Sequence, residues 1–352
     1  MTTTAAAGFA QRGASLLVLA TLTMAPTIAA ADEGGVSFWV PGFFGSLAAA
    51  PQQPGFSLAT IYYHTTVSAG GDVAFARQVT RGNITANFTG NLNANLNASG
   101  DLAMAIPSYV FATPVLGQAA VALIVPYGRA STAIDATLNA AVGPIGFTVS
   151  GGREDSVTGF GDLIPQASLR WNMGVHNVMT YVTGNAPIGA YDSRRFANLG
   201  IGHAAIDSGA GYTYFNPQTG DEFTAVLGFT YNFVNQSTQY QNGVDMHLDW
   251  ATSKFITKQW QLGLVGYTYQ QLSCDRGAGD RVGCFESRVS AIGPQLGYII
   301  PLGELQGYVN LKAYKEFSAE YRADGWNAWL TFSISPAASS APPPTQRRVV
   351  TK

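Results

Sequence analysis

The chain contains few charged residues. Asp, Glu, Lys and Arg together make up 11% of its 352 residues, whereas a typical soluble domain has roughly 25%. The formal net charge is only −2, and the basic residues form no stripe along the sequence. Because binding to nucleic acid requires a positively charged surface, we exclude nucleic acid as a partner.

The chain also lacks a continuous apolar segment suited to a membrane helix. Residues 102–127 carry no charge, but Pro107, Pro114 and Pro126 interrupt them, and no basic cluster flanks them. We therefore interpret this stretch as two strands joined by a turn at residues 114–117. The chain is instead rich in Gly (40), Tyr (16) and Phe (19), a composition typical of a β-barrel with glycine bends and aromatic girdles.

Residues 83–98 alternate between polar and apolar side chains, as in Asn95 and Asn97 against Leu96 and Ala98. A period of two is the period of a β-strand. At roughly 3.3 Å per residue the stretch spans about 50 Å, whereas typical globular strands span about 17–20 Å. We predict a membrane barrel strand with its polar face toward the lumen and its apolar face toward lipid. A soluble sandwich strand and a β-solenoid with Asn ladders are the alternatives.

Short turns alternate with long polar segments along the rest of the chain. The short turns fall at residues 114–117, 173–176, 216–220, 254–258 and 301–304, and the long loops at 68–82, 140–158, 186–203, 234–241, 274–284 and 318–324. This asymmetry is typical of outer-membrane barrels. The predicted fold class is therefore all-β: a transmembrane antiparallel up-and-down β-barrel of about 12 strands, formed by residues 56–335.

The two ends of the chain differ from the barrel. Residues 1–31 contain a short apolar core followed by an A-x-A cleavage site at residues 29–31, which is the pattern of a signal peptide. An anchoring helix is the alternative, but the core is short and Pro26 breaks it. Residues 336–352 are rich in Pro, and we predict a disordered periplasmic tail.

Residues 32–55 lack the strand period and are rich in Gly, Pro and aromatic side chains, including Phe38, Trp39 and Phe44. Such a segment has two interpretations. It either plugs the lumen from the periplasmic side or forms a loose periplasmic leader, and the sequence leaves both open.

Cys274 and Cys284 are the only cysteines, and they lie in one predicted external loop. Two nearby cysteines in an exported chain usually form a disulfide. Free thiols and a metal pair are the alternatives, but two thiols make a poor zinc site because closed zinc sites take four ligands. We predict a disulfide that staples the loop, and no metal site.

Charged side chains occupy alternate positions of several predicted strands. Because a charge on the lipid face of a barrel is costly, we assign them to the lumen. There they either form a constriction that sets solute selectivity or make a salt-bridged interior that only fills space. The candidates are Asp245, His247, Asp249, Glu286, Arg288, Lys312 and Glu316.

Catalytic motifs are missing from the sequence, which has no G-x-S-x-G elbow, H-E-x-x-H pair or Walker loop. Of the four histidines, only His247 has carboxylates at strand spacing. We therefore predict no enzyme activity, no catalytic residues and no cofactor. Hydrolysis of lipids or peptides that is abolished by His247→Ala would overturn this prediction.

Four short segments carry a family resemblance. They are GFGDLIP at residues 159–165, ANLG at 197–200, GLVGYTYQQL at 263–272 and VSFWVPG at 36–42. Because these segments occur in their order along the chain, it resembles the outer-membrane barrel family labelled for the meta-cleavage pathway of phenol degradation, over about residues 34–335. The resemblance implies a transporter-like role for small, often aromatic or hydrophobic compounds, and it supplies no catalytic residues. The cysteine pair and the Pro-rich tail depart from the family pattern.

Together these features predict an outer-membrane channel or transporter for small organic compounds, such as aromatic acids or phenols, working by passive or facilitated diffusion. The alternative is a structural or adhesive barrel with a filled lumen and functional external loops. The predicted partners are outer-membrane lipid, small organic solutes and the outer-membrane assembly machinery, to which an aromatic-rich last strand is suited. The predicted location is the outer membrane of a Gram-negative cell, reached by means of the signal peptide.

Overall fold

The computed structural model describes residues 37–81, 84–113, 116–142, 145–280, 284 and 286–337. The predicted signal peptide and the predicted tail from residue 338 onward lie outside the described residues. Within the described ranges, no helix is long and apolar enough to cross a membrane, a finding that has no bearing on passage by strands.

The described residues form thirteen β-strands in a single antiparallel sheet. Their bounds are β1 Gly55–Arg81, β2 Ile84–Val110, β3 Gln118–Val142, β4 Ile145–Phe160, β5 Ile164–Met173, β6 His176–Gly184, β7 Ala205–Asn216, β8 Asp221–Asn232, β9 Asp245–Phe255, β10 Trp260–Gln271, β11 Arg288–Leu302, β12 Leu305–Glu320 and β13 Asp324–Pro336. The sheet closes because β1 pairs with β13, from Leu58 opposite Ile334 to Ser68 opposite Asp324. The predicted fold class is confirmed: the chain forms a closed antiparallel barrel of 12 strands plus one extra strand.

The extra strand is β4. Residues 118–124 of β3 pair with β5, whereas residues 127–142 of the same strand pair with β4. β4 and β5 therefore follow each other along one edge of β3. The chain passes from one to the other at Gly161, whose backbone N–H donates to the carbonyl oxygen of Pro126 at 3.0 Å. β4 thus lengthens the wall along β3 instead of adding to the circumference of the barrel.

A band of apolar side chains faces outward around the barrel. On the first strands it includes Phe56, Leu58 and Tyr62, and one rim carries the rings of Tyr127 and Phe160, whose centroids are 5.0 Å apart. The remaining strands continue it with Val182, Ile206, Leu227, Phe229, Leu262, Leu264, Ile292, Leu311, Leu330 and Phe332, all exposed. Apolar side chains are stable against lipid, and aromatic rings are typical of its borders. The band therefore marks the surface that faces the membrane.

The first three strands are longer than a membrane crossing requires. β1, β2 and β3 have 27, 27 and 25 residues, whereas a tilted transmembrane strand needs about 9–11. Beyond the rim marked by Tyr127 and Phe160, outward positions hold polar, exposed side chains such as Asn95, Asn97 and Ser150. This part of the sheet therefore stands in water, outside the lipid band.

The extra length corrects the prediction of a polar lumen face for residues 83–98. Strand β2 pairs with β1 and β3 without a register shift between residues 93–98 and Met104, which is buried in the lumen. Side chains alternate strictly along a strand, so Leu96 faces inward with Met104, while Asn95 and Asn97 face outward. The alternation of polar and apolar side chains was predicted correctly. The assignment of the polar face to the lumen was wrong, because the wall at this height is surrounded by water and not by lipid.

Two predicted loops are strands over their described residues. Residues 68–81 belong to β1, and residues 140–142 and 145–158 belong to β3 and β4. Their glycine and charged residues suggested loops, but the backbone is paired throughout, as in Glu154 opposite Ala133. The short turns at 173–176, 216–220 and 301–304 are confirmed. Gly174, Gly220 and Gly303 there have φ of +74°, +77° and +74°, a conformation that only glycine adopts without steric cost.

Candidate functional site

The interior of the barrel is lined by polar and charged side chains that alternate with the outward apolar band. Strand β9 places Asp245, His247 and Asp249 in the interior, and neighbouring strands add Asp207 and Glu222; all five are buried. Their positions follow from the strand period, because the residues between them lie on the outward face. The lumen therefore holds a cluster of ionisable groups shielded from water.

His247 and Asp207 are in hydrogen-bonding contact at the centre of this cluster. The Nε2 atom of His247 lies 3.0 Å from Oδ2 of Asp207, and both side chains are fully buried. The hydroxyl of Tyr181 donates to Oδ1 of the same carboxylate at 2.7 Å, and the hydroxyl of Thr230 donates to Oδ2 at 2.6 Å. A buried carboxylate needs such partners to offset the loss of hydration.

A segment of the chain that precedes β1 occupies the lumen. We call residues 37–54 the N-terminal segment. Its Trp39 ring stacks on the imidazole of His247 with centroids 3.8 Å apart and an interplanar angle of 8°. The ring also lies 6.2 Å from Tyr181 and packs in a cluster that includes Met179 and Val226. The segment thus covers the His247–Asp207 pair with an aromatic ring.

Two opposite charges hold the backbone of the N-terminal segment at residues 42–44. Asp249 accepts hydrogen bonds from the backbone N–H groups of Gly42 at 2.9 Å and Phe44 at 3.1 Å. Lys312 donates from Nζ to the carbonyl oxygen of Gly42 at 2.6 Å. Gly42 has φ of +88°, and an added Cβ would lie 3.1 Å from the ring of Tyr314. Only glycine fits between the charges and this ring without strain.

Further along the segment, wall side chains continue to bind its backbone. Glu222 accepts from the hydroxyl of Ser46 at 2.9 Å and from the backbone N–H of Leu47 at 3.1 Å. Thr213 accepts from the backbone N–H of Ala49 at 3.1 Å. These bonds satisfy polar backbone groups of a segment that has no strand or helix of its own. The fit between segment and wall is therefore specific in its hydrogen bonding.

Five of the predicted lumen residues lie together in the interior. His247, Asp249 and Lys312 contact the N-terminal segment as described above. Asp245 accepts from the side-chain amide of Asn232 at 2.8 Å. Glu316 accepts from the hydroxyl of Tyr267 at 2.7 Å and from the backbone N–H of Gly325 at 2.8 Å.

The other two predicted lumen residues, Glu286 and Arg288, lie outside it. Glu286 is exposed in the loop before β11, and Arg288 is exposed and pairs with Glu320 of β12. The pairing of β11 with β12 shifts its register between Arg288 and Ser290, and the buried side chain there is Val289. The assignment to the lumen was wrong because both charges lie at the solvated end of the strand, where an outward charge is not in lipid.

Sequence reasoning missed three lumen residues. Asp207 and Glu222 are buried, and Arg170 donates from Nε to the carbonyl oxygen of Ala48 in the N-terminal segment at 3.4 Å. A signal was present for Glu222, which has the same parity as the polar Thr224 on its strand. A signal was also present for Arg170, because polar and apolar residues alternate along β5, whereas β7, which holds Asp207, is rich in Gly, Ser and Ala and alternates weakly.

The loops at the end of the barrel opposite the short turns are anchored by ion pairs and a disulfide. Cys274 and Cys284 form the predicted disulfide. In the loop between β6 and β7, Arg195 donates to Asp155 of β4 at 2.8 Å. This hydrogen bond lowers the pKa of Asp155 below its ordinary range, with smaller contributions from the backbone N–H groups of Ala197 and Phe196.

The closed antiparallel wall, its outward apolar band and its polar interior define the class: an outer-membrane β-barrel. A profile of the family described as "Putative MetA-pathway of phenol degradation" matches residues 78–332, and the chain belongs to this family. The resemblance inferred from the sequence is therefore confirmed.

A crystal structure of the COG4313 outer membrane channel from Pseudomonas putida F1 has the same fold. It superposes with a TM-score of 0.56 and 14% sequence identity, covering 81% of this chain and 97% of that chain. A Pseudomonas aeruginosa FadL homologue gives a TM-score of 0.38 and 9% identity, covering 84% of this chain and 94% of that chain. A search of curated proteins found no significant match.

Proposed function

We propose that the protein is an outer-membrane channel through which small organic compounds pass by passive or facilitated diffusion. The observation that carries the proposal is the N-terminal segment: a strandless segment held by hydrogen bonds occupies part of the space inside the wall, beside wall side chains such as Tyr267 and Trp329. A wall of this kind leaves a passage when the segment moves. The family description and the similar fold of a Pseudomonas putida outer membrane channel support the same function.

The route to the membrane follows from the ends of the chain. Residues 1–31 would direct export and be removed, and the aromatic-rich strand β13 would dock the outer-membrane assembly machinery. Short turns of outer-membrane barrels face the periplasm. The N-terminal segment joins β1 at the short-turn end, so the part of residues 32–55 that precedes β1 would act as a plug inserted from the periplasmic side. The part of residues 336–352 that follows β13 would extend into the periplasm.

The charges of the lumen indicate which solutes pass. The described lumen holds five buried carboxylates, of Asp207, Glu222, Asp245, Asp249 and Glu316, against the ammonium of Lys312 and the guanidinium of Arg170. An excess of negative charge repels anions. We therefore expect neutral compounds such as phenols to pass more readily than aromatic acids. Asp245, His247, Asp249, Lys312 and Glu316 remain the proposed selectivity residues, joined by Asp207 and Glu222.

A structural or adhesive barrel is the second candidate function. The observation that favours it is the same segment, because Trp39 and Phe38 are buried and Trp39 and Phe44 pack against Tyr181. If the segment never moves, the lumen is filled and the external loops become the working surface.

Single-channel conductance of the chain from Asp32 in planar bilayers decides between the two. We expect brief openings in the parent chain, long openings after deletion of residues 38–50, and partial block by phenol in both. A matched deletion of residues 338–350, of equal length at the other end of the chain, should leave the parent behaviour unchanged. A chain that stays silent even after deletion of residues 38–50 would overturn the channel and favour the structural barrel.

A further inference from the structure

The wall continues beyond the lipid band as a sheet of four strands. We call residues 69–81, 84–96, 134–142 and 145–153 the four-strand extension. Its backbone pairs run without a register shift across β1, β2, β3 and β4. Its outward face is polar: the hydroxyls of Thr137 and Ser150 lie 3.0 Å apart, and Asn95 donates to Asn93 at 2.9 Å. That face is therefore suited to water.

Apart from Arg153 at the base, the described side chains on the inward face of the same sheet are apolar. Its members outside the lipid band are Ala94, Leu96, Ile134, Ala136, Leu138, Phe147 and Val149, all partly buried. Leu96 and Met104 are both at even positions of β2 and therefore lie on the same face, as do Ile134 and Ile124 on β3. Met104 and Ile124 are buried in the hydrophobic cluster of the lumen. On β2 every inward position from Leu96 to Met104 is apolar, so an apolar strip runs along this strand from the extension into the barrel.

Access to this face is open from the sides. Among the described residues, residues 69–81 of β1 pair only with β2, and residues 145–153 of β4 pair only with β3. At the base, the loop between β6 and β7 reaches the same face of β4, where the guanidinium of Arg153 lies 4.4 Å from the ring centroid of Phe196. The apolar face is thus a wall with free edges and a polar base.

An apolar sheet face that no other strand covers is a candidate binding site. Lipid is an unsuitable occupant, because the outward face at this height is polar and the apolar face turns toward the axis of the lumen. Apart from Arg153 at the base, the described side chains of the face are aliphatic or aromatic and suit an uncharged apolar molecule. The face is continuous with the lumen through which we propose that such molecules pass.

We propose that the inward face of the four-strand extension is a capture surface that binds uncharged apolar small molecules from water and delivers them to the lumen. The inference rests on the proposed channel function for its second half and on the sheet alone for its first half. Binding and transport are therefore measured separately.

Binding is tested with the chain from Asp32 in lipid nanodiscs, with toluene as the probe. Because the two native cysteines are joined, a bimane label attaches only to an introduced cysteine, at Ala136→Cys on the inward face or Thr137→Cys on the outward face. Toluene should change the fluorescence at position 136 saturably and leave position 137 unchanged. Leu96→Asn should weaken the response at position 136 by about tenfold, because it removes a large apolar contact. The outward variant Asn95→Gln should have no effect.

Equal responses at positions 136 and 137, or a response that Leu96→Asn leaves intact, would overturn the capture surface. So would a signal at position 136 that follows the number of barrels per nanodisc and not the toluene concentration, since it would identify a second copy as the occupant.

Transport is tested by toluene flux into proteoliposomes. In Leu96→Asn the concentration for half-maximal flux should rise about tenfold while the maximal flux is unchanged, because capture is impaired and the lumen is intact. Flux in the parent together with no effect of Leu96→Asn would overturn the delivery step and leave the channel standing. Saturable binding at position 136 with no flux in the parent would overturn the channel function and support the surface as a binding site.

Discussion

Lys312 shows how a single residue holds a charge inside this barrel. Its Nζ atom lies 2.6 Å from the carbonyl oxygen of Gly42 and 5.1 Å from the ring centroid of Trp329. A buried ammonium is costly unless such groups replace its hydration. Asp249 binds the N–H groups of the same stretch of backbone. The two opposite charges therefore stabilise the lumen and position the N-terminal segment at once.

Lys312→Met keeps most of the side-chain length and removes the donor. We expect the open probability of the channel to rise about tenfold or more, because a charge-assisted hydrogen bond to the segment is lost and Asp249 is left without its compensating charge. Single-channel recording measures the change. The control is Lys315→Met on the same strand, whose exposed ammonium donates to Gly325 outside the lumen at 3.1 Å. Parental gating in both variants would show that Lys312 does not hold the segment.

For single residues, the sequence predicts where a side chain lies better than it predicts which residue that side chain contacts. The strand period placed His247 and Asp249 in the lumen correctly, because their neighbours are apolar and suited to lipid. It could not predict that Asp249 binds Gly42, which lies 207 positions away in the chain. Such contacts depend on the closure of the barrel and on the path of a segment that has no period.

At the scale of elements, the N-terminal segment is the part whose motion the proposed function requires. It has no covalent bond to the wall other than its continuation into β1, and its contacts are hydrogen bonds and aromatic packing. Segments held in this way open locally at a small fraction of the cost of unfolding the barrel. The segment and the wall are thus separable units of stability.

A reversible cross-link tests this separation. The backbone N–H of Ala49 lies 3.1 Å from the hydroxyl oxygen of Thr213, so the double variant Ala49→Cys and Thr213→Cys should form a disulfide. We expect the oxidised double variant to be silent in planar bilayers and reduction to restore the parental openings. Each single variant, and the parent treated with the reductant, serve as controls for the native Cys274–Cys284 bond. Openings that persist in the fully cross-linked protein would mean that solutes pass a stationary segment.

The elements also show what a sequence period can and cannot establish. Alternation through Asn95 and Leu96 correctly predicted a strand, because no other regular structure separates odd from even positions. Which face lies inside depends on what surrounds the wall at that height, and the same polar–apolar pattern reverses its meaning where the wall leaves the lipid. The unbroken pairing of β2 back to Met104 decides the matter, and that pairing is a property of the sheet.

For the whole molecule, counting turns in the sequence predicted the number of barrel strands. The composition did not predict the charge of the interior. The net charge of the chain is only −2, yet five buried carboxylates, including those of Asp207, Glu222 and Asp249, lie in the described lumen among few basic groups. A narrow passage with low-dielectric walls strengthens the field of such charges. The net charge of the whole chain therefore conceals an excess of negative charge in the lumen.

Ion selectivity measures this field directly. In the variant lacking residues 38–50, a gradient of potassium chloride should give a reversal potential that reports a preference for K⁺ over Cl⁻. Adding Glu222→Gln should lower the permeability ratio of K⁺ to Cl⁻ by about sevenfold, since one unit charge about 7 Å from the path of an ion contributes roughly 0.6 kcal/mol in a water-like medium, with opposite sign for K⁺ and Cl⁻. Glu304→Gln, an exposed residue of a short turn, makes the same change of charge outside the lumen and should leave the ratio unchanged. Equal effects of the two substitutions would place the selective field at the mouth of the barrel, and an anion preference in the parent deletion would remove the reason for expecting phenols to pass before aromatic acids.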